Sequence, residues 1–273
     1  MRYYITKRIL STIPLLLCIS FICFCFISLI PSDPAEVALR VRQVPVITPE
    51  AVEEVRRELG LDKPFLIRYA DWVISCLHGD FGSSYTNPSR TVAGELLRCM
   101  PATLLLAGAS FELVIFLSIP IGFFCAVYKD SWFDKIMRAF IFMTTAMPAY
   151  WIGLLLMWFV SIKLDLLPTS GNAGIKHLIL PAVTVSLTYI STYIRLIRNN
   201  MLENMKQDYV LYANVRGLPQ RLILTKHILR NSMHTCFVAI GMSIPQHIAG
   251  TIDDENVFAW PGLGTLCIES IFN

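Results

Sequence analysis

Apolar and polar stretches alternate along this chain in blocks too long for an ordinary soluble fold. From Ile9 to Ser32 there is no charged residue, and roughly 20 apolar residues suffice to cross a bilayer. This stretch reads as an uncleaved first span, because a signal peptide has a shorter apolar core and ends in a small-residue cleavage site. Pro14 lies in its first turns, where a helix tolerates it. Further apolar runs cover Pro101–Tyr128, Ala139–Ile162, Leu178–Ile194 and about Met233–Ile252, the last interrupted by Pro245. The expected fold class is all-α: a polytopic helical membrane protein with five spans.

Between the first two runs the pattern changes. Residues 33–98 mix acids and bases and contain prolines at 34, 45, 49, 64 and 88. Thr48-Pro49-Glu50 opens a capped helix that Gly60 ends. Pro64 to His78 predicts a second, amphipathic helix, and Gly79–Gly82 a turn. The organisation expected is an N-terminal segment with the first span (1–32), a small external helical domain (33–98) and a membrane domain (99–273). Cys76 within this external stretch and Cys99 directly after it are disulfide candidates.

Charge then orients the spans. Arg2, Lys7 and Arg8 precede the first span, Lys129, Lys135 and Arg138 follow the second, and Arg195 and Arg198 follow the fourth. Basic segments alternate with mixed ones, which puts the N-terminus in the cytoplasm. Ser83 and Asn87 are then expected outside, and Arg216 inside.

One cytoplasmic stretch, within 199–232, has its own signature. Asp208–Ser232 carries Arg216, Arg221, Lys226 and Arg230 against the single acid Asp208. Tyr209–Arg216 predicts a helix with Ala213 as its small residue. Gly217 stops it, since glycine enters the left-handed conformation without steric cost. Pro219 suits the first turn of a second helix, whose apolar Leu222, Ile223, Ile228 and Leu229 alternate with bases and with His227. Two short helices joined at a glycine form a knob able to fill a partner's groove.

Composition narrows the function classes. The chain is 55% hydrophobic and 16% charged, against roughly 45–50% and 25% in soluble domains. Its net charge of +3 is dispersed at the ends of apolar runs, so no nucleic-acid face forms. The eight cysteines make no zinc spacing. No phosphate-binding G-x-x-x-x-G-K-[ST], H-E-x-x-H or G-x-S-x-G occurs, and Gly108-Ala109-Ser110 is followed by Phe111. An intramembrane enzyme therefore lacks its constellation. A membrane anchor without transport is the remaining alternative class.

Ala213-x-x-x-Gly217 resembles the coupling loop of ABC-importer permeases, and His227–Asn231 is similar to the peptide and nickel branch. The acid that usually precedes the alanines is replaced by Leu211 and Tyr212. The order P-S-D-P-A (31–35), L-G-L-D-K-P (59–64) and G-D-F-G-S-S (79–84) is similar to that branch's external segment. M-P-A-Y-W-I-G (147–153), K-H-L-I-L-P-A-V-T (176–184) and N-V-F-A-W-P-G-L-G (256–264) resemble it further. The chain is identified as a member of the nickel/dipeptide/oligopeptide permease family, with the resemblance running from Met1 to Asn273. The family pattern implies a sixth span beyond Asn273. It also has apolar residues between Gly250-Thr251 and Glu255, where this chain has Ile252, Asp253 and Asp254; these acids are expected to end the fifth span early.

The resemblance implies a transport subunit in the bacterial inner membrane that is not itself an enzyme. It implies a second permease in a heterodimer, two ATPase subunits and an extracytoplasmic binding protein, all within membrane lipid and without nucleic acid. No cofactor is expected on this chain; ATP and Mg belong to the ATPases. Asp208, Tyr212, Ala213, Arg216, Gly217, Arg221, His227 and Arg230 are the expected ATPase-coupling residues. The expected substrate is nickel or a metal chelate, with di- or oligopeptides as the alternative.

The pathway candidates come from the residues themselves. Glu112 is the only charge in the second span, and an intramembrane ionisable group faces protein or water. His247, Thr251 and Asp254 are spaced by four and three residues, hence on one helix face. His247 and Asp254 are the candidate cation contacts, since imidazole and carboxylate suit transition metals; the other reading is a solvated corner with His247 bonded to a neighbour.

Overall fold

The computed structural model describes residues 2–29, 33–41, 44, 47–84 and 90–272. Pro31 and Ser32 of the first external motif, Pro45, Asn87 and Pro88 lie outside the described residues. The described part is helical, with one isolated bridge between Ser83 and Thr91. It divides into two compact units, Met1–Leu97 and Arg98–Asn273.

The first unit contains α1 (Arg2–Ser28), α2 (Pro34–Val41), α3 (Pro49–Glu58) and α4 (Phe65–Leu77). The capped helix forms as expected: Thr48 accepts a hydrogen bond from the Ala51 N–H at 3.3 Å, and Pro49 lies in the first turn. Gly60 is left-handed at φ 64°. Helices α2 and α3 close a small apolar core of Ala35, Ala38, Leu39 and Val55. An Arg56–Asp33 ion pair ties α3 to the start of α2. Helix α4 packs its Phe65, Tyr69 and Trp72 onto Phe21 and Phe24 of α1. Cys76 is a free thiol in this unit.

The second unit is built around α8 (Ile175–Asn204), which packs on α6 (Trp132–Ala146), α7 (Ala149–Leu156) and α11 (Arg230–Ala249). Val114 of α5 (Val92–Val127) joins Ile141, Ile190, Tyr193, Ile194 and Ile240 in one core cluster. Gly122 permits close approach of α5 to α8, because a Cβ there would lie 2.9 Å from Ile197 Cβ. Two hydroxyl pairs form inside this packing: Thr144 with Ser191 at 2.5 Å, and Tyr193 with Ser243. Such pairing is what an apolar medium demands of buried hydroxyls.

Two expectations are corrected, and the kink expected in the third apolar run is a sharp break. Helices α6 and α7 meet at Met147-Pro148 with a 108° bend, and a π-helical stretch, Met157–Lys163, follows. Proline lacks the N–H needed to carry a helix through. Among the described residues, long apolar helices number four, or five if the bent pair is one span. The second span begins earlier than Pro101, since α5 starts at Val92 and carries Pro101 and Pro120 inside it. Finally, the acids after Ile252 do not end the fifth span. Helix α12 (Thr251–Val257) continues through them, with Asp254 and Glu255 buried.

Candidate functional site

The basic two-helix knob starts with α9 (Asp208–Val215). Its C-terminus is a Schellman closure. The Gly217 N–H donates to Asn214 O at 2.9 Å and the Leu218 N–H to Ala213 O at 3.2 Å, which satisfies carbonyls that the helix end leaves open. Gly217 has φ 71°, as the sequence led us to expect. Pro219 caps α10 (Gln220–Leu222), which passes into a π-helical stretch, Ile223–Leu229, and then into α11. Gln220 reaches back to Asn214 at 2.9 Å and fixes the angle between the two halves.

The inner face of this knob is locked into the membrane unit. Val210, Ala213, Ile223 and Ile228 are buried with Ile197 and Met201 of α8 and Cys236 of α11. The outer face is apolar and open. Leu211, Tyr212 and Val215 are exposed, and Asp208, Arg216, Gly217, Arg221 and Arg230 are exposed around them, with His227 half-buried. The structure thus splits the eight coupling candidates: Ala213 faces the core and the others line or flank the open side. Leu211 and Val215 were not among the candidates, although i, i+4 spacing places them on one strip.

A second polar cluster lies between α5, α8, α11 and α12. His247 Nε2 is 2.7 Å from Ser110 Oγ, and its ring meets Tyr189 edge-on at 4.2 Å. Thr251 donates to Glu255 Oε1 at 3.2 Å, and the Gly264 N–H donates to Glu255 Oε2 at 2.6 Å. Asp254 is buried, and its Oδ1 has no hydrogen-bond partner. His247, Thr251 and Asp254 are all buried as their shared face requires, but His247 is committed to Ser110. Among the described residues no group of three or more His, Cys, Asp or Glu is placed to hold a metal. Glu112 is separate: it is exposed and lines an apolar cleft of about 660 Å³ with Ala109, Phe116, Ile179 and Val183.

Two features escaped the sequence reading. Arg198 binds Asp134 with both arms, Nε to Oδ1 at 2.7 Å and Nη2 to Oδ2 at 2.8 Å, joining α8 to α6. The only available signal was Asp134 as a lone acid between Lys129 and Arg138 after Asp130. The Trp260–Gly264 loop is clamped as well. The Trp260 indole donates to Ala102 O at 2.9 Å, and the Leu263 N–H to Thr103 Oγ1 at 2.8 Å. Gly262 and Gly264 lie so close to Glu255 that a Cβ would fall 2.3 and 2.9 Å from its carboxylate. The glycines of W-P-G-L-G are therefore needed for close approach to a buried acid.

The chain was also compared with known proteins. The family described as "Binding-protein-dependent transport system inner membrane component" matches residues 118–273, and its N-terminal counterpart matches residues 1–107. The metal-staphylopine import system permease protein CntB of Staphylococcus aureus is 35% identical over 98% of this chain and 86% of its own length. The glutathione transport system permease protein GsiC of Salmonella choleraesuis is 32% identical over the same shares. The oligopeptide transport system permease protein AppB of Bacillus subtilis is 33% identical over 100% of this chain and 88% of its own. With long apolar helices, the basic two-helix knob and the clamped W-P-G-L-G loop on one chain, this protein belongs to the binding-protein-dependent transport system inner membrane component family, as a multi-pass permease subunit of an ABC importer of the peptide/nickel branch.

Proposed function

We propose that this permease imports nickel or a metal chelate, forms half of the pathway as one member of a heterodimer, and is driven through α9 by two ATPase subunits. The observation that carries the coupling reading is the two-faced knob. An open face of Leu211, Tyr212 and Val215 fits an apolar groove, and the opposite face is packed onto α8 and α11. A push on α9 is then passed on as a rigid-body movement rather than absorbed locally, because packed interiors do not deform continuously. The binding protein delivers substrate on the side away from the knob, and the N-terminus lies in the cytoplasm. This chain binds no cofactor; ATP and Mg act on the ATPases.

The metal-chelate reading is supported by the similarity to the metal-staphylopine permease. The second reading, a di- or oligopeptide importer, is supported by the glutathione and oligopeptide relatives at nearly the same identity. Among the pathway candidates, Glu112 has the best support, since it is open to an apolar cleft whereas His247, Thr251 and Asp254 are closed off in this conformation. The deciding experiment is uptake by reconstituted vesicles holding the whole importer and its binding protein. ATP-dependent accumulation of nickel or its chelate supports the first reading. Accumulation of a dipeptide alone replaces it with the second.

A further inference from the structure

Helix α4 carries two apolar faces, and only one of them is packed. At 100° per residue, Phe65, Tyr69, Trp72 and Cys76 share the face turned to α1. Leu66, Ile67, Ala70, Val73, Ile74 and Leu77 form a second arc roughly 120° wide, as broad as the core-facing stripe of an ordinary amphipathic helix. Arg68, Asp71 and Ser75 are confined to the narrow remaining strip. Yet no residue of α4 is buried, and Leu66, Ile74 and Leu77 are 66%, 55% and 81% exposed. A helix in water would not leave its wider apolar face open.

The depth of α4 along α1 says what covers that face. The Tyr69 hydroxyl donates to Leu17 O at 2.9 Å and lies 2.8 Å from Ser20 Oγ. Phe65, Tyr69 and Trp72 pack on Phe24. The apolar window of α1 runs from Ile5 to Ser28 over 24 residues, about 36 Å of helix against a hydrocarbon layer about 30 Å thick. Phe24 is about 6 Å and Leu17 about 16 Å from the Ser28 end. Contacts with α4 therefore begin in the leaflet where α1 ends and reach its midplane. Tyr69 meets the requirement of that environment, where a hydroxyl needs a protein partner because no water is present. The polar strip is managed similarly, with Asp71 paired to Lys63 at 2.7 Å and Arg68 over the Phe24 ring at 5.9 Å.

We propose that α4 is a membrane-embedded helix that lies against α1 and presents Leu66, Ile74 and Leu77 to lipid acyl chains. Residues 33–98 are then not wholly a water-borne cap: α2 and α3 keep their own core, and α4 continues the lipid-facing surface of α1. The occupant is the acyl layer, because the open arc lies at the depth of a helix whose apolar window is long enough to cross the bilayer.

The test uses the assembled importer in vesicles, with spin labels at Leu66→Cys, Ile74→Cys, Leu77→Cys and Asp71→Cys in a background without native cysteines. The ratio of oxygen to water-soluble nickel-complex accessibility should be several-fold higher at 66, 74 and 77 than at 71. Strong collisions with the nickel complex at 66, 74 and 77 would place that face in water and overturn the proposal. Low accessibility to both reagents would place it under a protein partner and overturn it equally. The unsubstituted complex gives a second measurement: a diazirine-bearing phospholipid should label the 64–78 peptide, and absence of adducts there alongside adducts on α1 refutes the assignment.

Discussion

Gly217→Val separates the proposed coupling role of the knob from the stability of the subunit. The glycine sits at φ 71° at the Schellman position of α9. A Cβ built there meets nothing within 4 Å, so the cost is backbone strain and not a clash. An L-residue in that region costs roughly 1–2 kcal/mol, and a β-branched one lies at or above the top of that range. That corresponds to roughly a 5–30-fold shift against the closed turn. The relaxed alternative swings α10 away from α9 and breaks the Gln220–Asn214 bond. The core that holds the inner face, Val210 and Ala213 on Ile197 and Met201, is untouched. The expected result in reconstituted vesicles is a severalfold loss of substrate-stimulated ATP hydrolysis with near-normal subunit abundance. Gly217→Asn, which tolerates the left-handed region, should retain most of it. A fully active Gly217→Val complex, or one lost in proportion to abundance, would refute the reasoning.

Other substitutions test other parts of the account. Arg198→Met removes the two-armed partner of buried Asp134 but leaves Arg138 at 3.5 Å and the Asp130 N–H on the carboxylate, a change that costs about 1.5–3 kcal/mol and should lower Tm of the purified complex by roughly 3–12 °C; a melt within a degree of the parent would contradict it. Gly262→Ala forces a methyl into the Glu255 carboxylate, and Gly264→Ala forces one against Ile252 backbone at 2.6 Å. Each should cost about 1–3 kcal/mol, and Glu255→Asp should relieve the first but not the second in thermal melts. Glu112→Gln should lower uptake of a cationic chelate while ATP hydrolysis continues, whereas His247→Leu with Asp254→Leu should lower uptake only if that corner opens during the cycle. Unchanged uptake in the Glu112 variant removes that residue from the pathway.

Local features were legible in the sequence because local physics sets them. Thr48 before Pro49 gave the start of α3, and Gly217 gave the end of α9, since a side-chain acceptor and a left-handed residue act within one turn. The charge-free run from Ile9 gave α1. Pairings across the chain were not legible. Ser110 and His247 are 137 residues apart, and Asp134 and Arg198 are 64 apart; nothing in either neighbourhood names the other. The 108° turn at Met147-Pro148 was visible as a proline but not as an angle, because the packing of α6 and α7 on α8 fixes it. The acids at 253–255 looked like a solvated corner. Two of them are buried, Glu255 because the W-P-G-L-G backbone folds over it, a tertiary contact that hydropathy misses.

The central claim is that α9 is the mechanical contact between this permease and its ATPase. A photo-crosslinking amino acid at Tyr212 or Val215, both on the open face, tests it in the assembled importer. The account predicts adducts to the ATPase subunit from both positions, changing in yield between ATP-bound and nucleotide-free states, and none from Ile223, which is buried. Adducts only to lipid or to the second permease, or equal ATPase adducts from Ile223, would contradict it.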